Sequence, residues 1–406
     1  MPHQPVSAEQ FLKVLRSSGL LDPIDLVAFM ADVPQDDRRY SPALAAALVR
    51  RGLITRFQAR QLLMGASKGL VLGPYRILAM LGRGGSGKVY LARDSRMDKA
   101  VALKVLPPHK AREEERHLTR FQREMELAHE VDHPNVAKAY EAGVADGVHY
   151  IALEYVPGKT LSKNVVAGGP LKPDVAARIF AEAADGLAHA HERGLIHRDV
   201  KPSNLMITPA GHAKLLDLGL AMRPGEAGDA QVFGGRGYVV GTMDYVPPEQ
   251  TRDASAVDER SDIYGLGATL FYALTGRPPF PGGTSKEKIA RHRREEPPRV
   301  DEYNAEVPDK LADLVDEMLS KHAENRPPSA AAVRDRLQRW AAPPLTADAP
   351  MDVDRILHEL TTDVATDTDL EIAHVSPRNG YWWWIAGLAA MFVVMLIAVI
   401  FRMRRD

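Results

Sequence analysis

Nine consecutive residues constrain this chain more than any other stretch: Ile196-His197-Arg198-Asp199-Val200-Lys201-Pro202-Ser203-Asn204. They put a carboxylate, an ammonium and a carboxamide within six positions, too closely spaced to spread along a helix face. An acid followed five residues later by an amide suits a loop that accepts a proton from a hydroxyl and holds a metal ion. The same residue types also make an ordinary basic surface turn. What separates the two readings is whether the matching chemistry surrounds the loop in order.

It does. Residues 75–81 run into Gly82-Arg83-Gly84-Gly85-Ser86-Gly87-Lys88-Val89. Glycines here allow a tight turn whose amide N–H groups approach phosphates with no Cβ in the way. A dinucleotide-binding turn has similar letters but needs strand, glycines, then helix. Residues 88–91 are strand-like, which places this turn between two strands. Val101-Ala102-Leu103-Lys104-Val105-Leu106 is an apolar run with one lysine, either an edge-strand gatekeeper or a phosphate ligand. From about 112 to 130 the pattern is helical, with Leu118, Phe121, Met125 and Ala128 on one face. Glu124 lies beside that face and can turn toward Lys104; the alternatives are a solvated glutamate, or Glu126 as the partner.

Residues 148–156 read as a buried strand stopped by Pro157-Gly158. Residues 205–207 and 212–216 read as a hairpin leading into Asp217-Leu218-Gly219. Gly241-Thr242-Met243-Asp244-Tyr245-Val246-Pro247-Pro248-Glu249 follows. Ile263, Leu266, Leu270 and Leu274 then mark a buried helix with Asp262 in its first turn, where a carboxylate meets free N–H groups.

At 406 residues the chain exceeds one compact core and implies two or three domains. A net charge of −1 gives no basic excess to suggest nucleic acid as a partner. With no cysteine, disulfides and thiolate metal sites are excluded. The polar N-terminus lacks a signal-peptide pattern. Residues 7–66 read as four short helices. Capping boxes stand at Ser7-Ala8-Glu9-Gln10 and Thr55-Arg56-Phe57-Gln58, caps followed by proline at Asp22-Pro23 and Ser41-Pro42, and stops at Gly52 and Gly65. Nothing there carries chemistry, which makes the unit a structural or docking appendage, or a regulatory one.

At the other end, residues 341–380 carry eight acidic residues against Arg355 and Arg378. They read as a mostly flexible acidic tether with a possible helix at 351–360. Residues 382–401 are 20 residues without a charge, enough for a helix to cross roughly 30 Å of hydrocarbon. Tyr381 and the tryptophans 382–384 would sit at one interface, and Arg402, Arg404 and Arg405 at the other.

Taken in order, these elements resemble a eukaryotic-type (Hanks) serine/threonine protein kinase domain of the bacterial kind. The loop at 197–204 matches H-R-D-x-x-x-x-N, the glycine run a nucleotide flap, and residues 101–104 the V-A-I-K element. Phe121-Gln122-Arg123-Glu124 resembles the phrase of the family's helix C, which favours Glu124 as the partner of Lys104. Asp217-Leu218-Gly219 stands for D-F-G with Leu in place of Phe, and residues 241–249 for the end of an activation segment with Pro in place of Ala. Arg326 resembles the late arginine that pairs with Glu249. The resemblance covers residues 73–340, about two-thirds of the chain. The fold class it implies is α+β: a bilobal protein kinase fold, preceded by a small all-α unit and followed by a C-terminal transmembrane helix. The expected boundaries are 1–72 helical region, 73–340 kinase domain, 341–380 linker, 381–401 membrane span and 402–406 short basic tail.

The resemblance further implies transfer of the ATP γ-phosphate to Ser/Thr hydroxyls of protein substrates, itself included. Asp199 would be the base and Lys201 would steady the transferred group. Lys104, held by Glu124, would hold the α- and β-phosphates. Asn204 and Asp217 would hold Mg2+ or Mn2+. The nucleotide would lie against Leu81, Gly82, Arg83, Gly84, Gly85, Ser86, Gly87, Lys88 and Val89. Ala102, Val89 and Met206 would sandwich the adenine, Leu153 would wall the pocket, and backbone groups of Glu154 and Val156 would meet the base. Asp262 would brace the 197–199 backbone.

Expected partners are protein substrates, the lipid bilayer through the C-terminal helix, and a second copy in a homodimer. The expected location is the cell membrane, single-pass, with the kinase domain cytoplasmic because ATP is there. The terminal arginines pull the other way, toward the inside. Five residues after the span leave no outer sensor domain. One rival reading, a pseudokinase, would lack at least one of Lys104, Asp199, Asn204 and Asp217, and all four are present. Another makes the chain chiefly a membrane scaffold. One departure stands out: residues 220–241 contain no Ser or Thr, and Tyr238 is their one hydroxyl. Activation without phosphorylation in that span is therefore expected, with Glu226 or Asp229 serving Arg198 as fixed anions, or the flanking domain ordering the loop.

Overall fold

A computed structural model describes residues 5–84, 87–106, 130–216, 242–252, 257–343 and 352–362. The chain divides into two compact units, one built on the N-terminal helices and one mainly on residues 67–358.

The first unit contains the four expected helices: α1 (Ala8–Ser17), α2 (Pro23–Asp32), α3 (Ser41–Arg50) and α4 (Arg56–Leu63). Phe11, Leu15, Leu44, Leu48 and Leu62 are buried. Asp22 caps α2 by accepting from Ile24 N–H, and Thr55 with Gln58 forms a complete capping box at α4. Gly52 and Gly65 take positive φ just past α3 and α4. Ser41 departs from expectation. Tyr40 occupies the cap position of α3 with no side-chain capping bond to the helix, and Ser41 is the first helical residue. Its hydroxyl donates to the Val6 carbonyl at 2.6 Å, a distant acceptor that replaces the local cap.

The larger unit begins with a six-stranded antiparallel sheet. Its strands are β1 (Val71–Leu72), β2 (Tyr75–Gly84), β3 (Gly87–Asp94), β4 (Lys99–Leu106), β5 (Ala139–Ala145) and β6 (Val148–Glu154). Their order is β1-β2-β3-β4-β6-β5. A helical lobe follows, with α5 (Leu161–Gly168), α6 (Pro173–Glu192), α7 (Glu259–Thr275), α8 (Ser285–Arg294), α9 (Asp309–Met318) and α10 (Ala330–Leu337). A small sheet of β7 (Lys159–Thr160), β8 (Leu205–Ile207) and β9 (Ala213–Leu215) is interleaved with the first of these helices along the chain.

This is the expected α+β arrangement, a sheet lobe followed by a helical lobe. The core of the helical lobe is α7. Every residue from Ser261 to Leu274 is buried, so the helix is enclosed on all sides. Close approach explains two of its glycines. A Cβ at Gly265 would press on the Val200 carbonyl oxygen at 3.1 Å, and one at Gly267 would strike the Met318 side chain at 2.7 Å. The first of these contacts sets the 196–204 loop directly on α7.

A last helix, α11 (Val353–Thr362), corresponds to the helix expected within the acidic stretch. The expected span at 381–401 lies outside the described residues; among the described residues no helix is long and apolar enough to cross a membrane.

Candidate active site

The loop at 196–204 is built around one buried carboxylate. Asp262, in the first turn of α7, accepts from the backbone N–H of His197 at 2.8 Å and of Arg198 at 2.7 Å. It also bonds His191 Nε2 at 2.8 Å. Burial pushes the Asp262 pKa up, but the His191 hydrogen bond and charge, with the bond from the His197 amide, outweigh it and hold the carboxyl below its ordinary value. Two consecutive amides aimed at one acceptor force a sharp backbone turn, and Arg198 has φ +64°. Gln250 Nε2 donates to the Arg198 carbonyl at 3.0 Å and closes the bracing from the other side.

Asp199 follows this braced residue. Its N–H donates to His197 Nδ1, which places the imidazole proton on Nε2, and that atom bonds the Leu216 carbonyl at 3.2 Å. The Asp199 carboxylate meets Lys201 Nζ at 2.6 Å and Asn204 Nδ2 at 3.1 Å. Asn204 Nδ2 also donates to the Asp199 carbonyl at 2.9 Å. Three of the expected site residues, Asp199, Lys201 and Asn204, therefore converge. The β8–β9 hairpin is tied to them, because Leu216 N–H donates to the Asn204 carbonyl at 2.8 Å. Leu216 immediately precedes Asp217, which lies outside the described residues.

This donor set fits a hard cation. The Asn204 amide nitrogen is occupied by Asp199, which leaves Oδ1 as its ligand atom, with only a 3.4 Å contact to the Ser203 hydroxyl. An amide oxygen suits Mg2+, a metal that takes few protein ligands and completes its shell with water and phosphate; Asp217, the other expected ligand, lies outside the described residues.

On the sheet side, Lys104 lies opposite Val89 of β3 and Ile151 of β6. β4 is thus an inner strand, and the edge-gatekeeper reading of Lys104 is excluded. Its side chain is buried. Glu124 and its alternative Glu126 lie outside the described residues. The glycine run forms a strand–turn–strand, with Leu81, Gly82, Arg83 and Gly84 on β2 and Gly87, Lys88 and Val89 on β3. Gly84 pairs with Gly87, and Gly85 and Ser86 lie outside the described residues. No helix follows the glycines, which removes the dinucleotide-turn reading. Gly87 has φ +142°, and a Cβ there would run into the Val105 carbonyl oxygen.

Val89, Ala102, Leu153 and Met206 are half-buried, Val156 is buried and Leu81 is exposed. Ala102 lies directly opposite Leu153 across β4 and β6. The Glu154 N–H donates to the Lys138 carbonyl at 2.7 Å, so any contact Glu154 makes to a base falls to its carbonyl. The Glu154 carboxylate grips Lys214 of β9 through both oxygens, at 2.7 and 2.8 Å.

Behind the site, Arg326 clasps Glu249 through two bonds of 2.7 and 2.9 Å, as expected. Burial pushes the Glu249 pKa up, but Arg326 outweighs it and keeps the carboxyl below its usual range. Sequence reasoning missed three bracing residues: His191, Lys214 and Gln250. Gln250, next to Glu249, had the nearest thing to a signal; the other two had none.

The protein kinase domain model matches residues 75–337. The chain is 37% identical over 256 residues to serine/threonine-protein kinase PrkC of Bacillus subtilis, covering 63% of this chain and 39% of that protein. It is 39% identical over 269 residues to serine/threonine-protein kinase PknB of Mycolicibacterium smegmatis, covering 65% and 42%. With serine/threonine-protein kinase pkn3 of Myxococcus xanthus the identity is 38% over 271 residues, covering 65% and 49%. The chain thus spans between about two-fifths and half the length of these curated relatives. The fold is similar to the crystal structure of the Mycobacterium tuberculosis PknI kinase domain, with a TM-score of 0.52 and 27% identity over 67% of this chain and 97% of that one. With a matched region of more than half its length and the acid, lysine and amide of the loop brought together, this chain belongs to the protein kinase domain family.

Proposed function

We propose that this protein is a serine/threonine protein kinase that transfers the γ-phosphate of ATP to Ser/Thr hydroxyls of protein acceptors, itself included. The observation that carries the reading is the convergence of Asp199, Lys201 and Asn204 on a loop that Asp262 and Gln250 hold from two sides. Asp199 orients the acceptor hydroxyl and takes its proton at Oδ2 late in the transfer. Lys201, already on that oxygen, moves its charge to the transferring group. Lys104, with Glu124 as its partner, holds the α- and β-phosphates. Asn204 and Asp217 would hold Mg2+ or Mn2+, which would supply neutralisation of the charge on the phosphates. Most of the acceleration comes from positioning and electrostatics. Incubation with γ-labelled ATP and an acceptor protein tests this: wild type labels the acceptor and the Lys104→Met variant does not. Absence of labelling by the wild type removes the reading.

The flap gives a separate expectation. Gly87→Ala introduces strain of about 1–3 kcal/mol, so ATP affinity falls by roughly 5–150-fold. Isothermal titration with a non-hydrolysable ATP analogue measures it, and unchanged affinity would show that the flap is not held by the Val105 contact.

The proposal extends to a single-pass membrane protein with residues 1–340 in the cytoplasm. Its support is the uncharged run at 382–401 beside Tyr381 and Trp382. Homodimerisation through the same segment is the associated partner reading. Carbonate extraction of membranes separates the cases: the full chain stays in the pellet, and a chain ending at Arg378 is released. The segment 220–241, free of Ser and Thr, leads to the further expectation that the active enzyme carries no essential phosphate there. Mass spectrometry, together with the activity of Tyr238→Phe, checks it.

A further inference from the structure

The N-terminal helices are one helical hairpin used twice. A shift of 33 positions carries α1 (Ala8–Ser17) onto α3 (Ser41–Arg50) and the start of α2 at Pro23 onto the start of α4 at Arg56. Cap falls on cap, Asp22 on Thr55, and the glycine of one bend on the glycine of the other, with φ +70° at Gly19 and +69° at Gly52. The inward residues match as well: Phe11 with Leu44, Leu15 with Leu48, Leu26 with Ala59 and Phe29 with Leu62, all buried. In helical repeats each such hairpin hides its apolar side against a neighbour.

Beyond this common plan, α2 carries a second apolar side. Leu26, Phe29 and Val33 are its buried one. Ile24, Val27, Ala28 and Ala31 fall on the opposite side at helical spacing. All four are exposed, Ile24 by 77% and Val27 by 71%. The hairpin itself does not require this stripe. The equivalent positions of the second copy hold Phe57, Arg60, Gln61 and Met64, with Arg60 exposed. A contiguous exposed apolar stripe, unlike a scattered aliphatic residue, marks an interaction surface.

Charge selects the occupant. α2 and its cap hold Asp22, Asp25 and Asp32 and no Lys or Arg, whereas α4 holds Arg56 and Arg60 and no Asp or Glu. Asp22 is engaged by its own helix, and Asp32 lies 3.6 Å from Arg51. Asp25 and Asp32, seven positions apart, stand on one flank of the stripe. The outward side of α4 combines Arg60 with the half-buried Phe57 and Gln61 and with Met64, exposed just past the helix. Two α2 stripes brought together would set the acidic helix against itself. α2 against α4 of another copy sets apolar on apolar and arginine beside aspartate.

We infer that α2 of one copy docks on α4 of a second copy, with Ile24, Val27, Ala28 and Ala31 meeting Phe57, Arg60, Gln61 and Met64. The contact is head-to-tail, so each joined pair still offers an α2 face at one end and an α4 face at the other, and copies can add in open chains. A crossing of one 10-residue helix is a small interface. It is therefore weak in dilute solution and counts where copies are concentrated.

The absence of native cysteine makes the test direct. Ala28 and Gln61 stand near the centres of the two stripes, which stay in contact whatever the crossing angle. Two full-length variants are mixed in mild detergent and oxidised: one carries Ala28→Cys, the other Gln61→Cys and a mass tag. A disulfide-linked product of mixed mass is expected, well above the product from either variant alone. Val27→Glu on the first chain should remove it. Arg60→Asp on the second should cut it about 2–5-fold, and Asp25→Lys on the first should then restore it. Because Val27 is exposed, Val27→Glu should leave the melting temperature unchanged. The inference is overturned by no mixed product, by an equal product from Ala28→Cys alone, or by a mixed product indifferent to Val27→Glu or to both charge changes.

Discussion

Replacing Asp199 by Asn lowers kcat for phosphoryl transfer to a protein acceptor by about 10²–10⁴-fold, the range for loss of a general base. The ATP KM should change little, because Asp199 bonds Lys201 and Asn204 on the loop, whereas Lys104 and the flap assigned to the nucleotide lie on the sheet. Asn is close in shape, and its amide oxygen in the place of Oδ2 can still accept from Lys201 and Asn204, but it lacks the negative charge that holds the Lys201 ammonium. Some loosening of Lys201 will therefore accompany the loss of the base. Initial rates at saturating ATP, with melting temperature as a folding control, measure the effect. Activity within tenfold of wild type would take Asp199 out of the base role.

The second large effect is expected at Asp262. Removing it as Asp262→Ala strips the acceptor from two buried amides and from His191, which is expected to cost about 3–5 kcal/mol. It also takes from the left-handed Arg198 the brace on its amide, leaving the Gln250 bond to its carbonyl, so activity should fall with stability. The linkage to pH has a definite sign. The carboxyl is held below its ordinary value in the fold, so its contribution is fully present above about pH 4 and is lost as pH falls through the folded-state value. Urea unfolding of wild type and Asp262→Asn, following the kinase-domain transition at stepwise lower pH, should show the two curves converging in acid. A constant gap from neutral pH down to pH 3 would show that the charge is not what stabilises the loop. Glu249, also held low by Arg326, should add acid sensitivity of the same sign.

The elements themselves were readable along the chain. Strand, glycine turn, strand, lysine strand and loop follow from spacings of a few residues, and short-range sterics set those conformations. The loop at 197–204 was readable for the same reason, since its acid, ammonium and amide are near neighbours. So were the four N-terminal helices, whose caps and stops are local, although the Ser41 hydroxyl found Val6 instead of its own helix. The pairing of Glu249 with Arg326 came only from the family resemblance, since the two are 77 positions apart.

The contacts that hold the site rigid are of another kind. His191 and Asp262 are 71 positions apart, Gln250 and Arg198 52, and Lys214 and Glu154 60. Residue type alone names no partner over such distances, since any buried donor could serve any buried acceptor. Packing chose among them. The fully enclosed α7, with a glycine against the Val200 carbonyl, brought Asp262 under the loop, where its carboxylate bonds the His197 and Arg198 amides and His191. The residues supplied the chemistry, and burial by distant elements decided which groups had to satisfy one another.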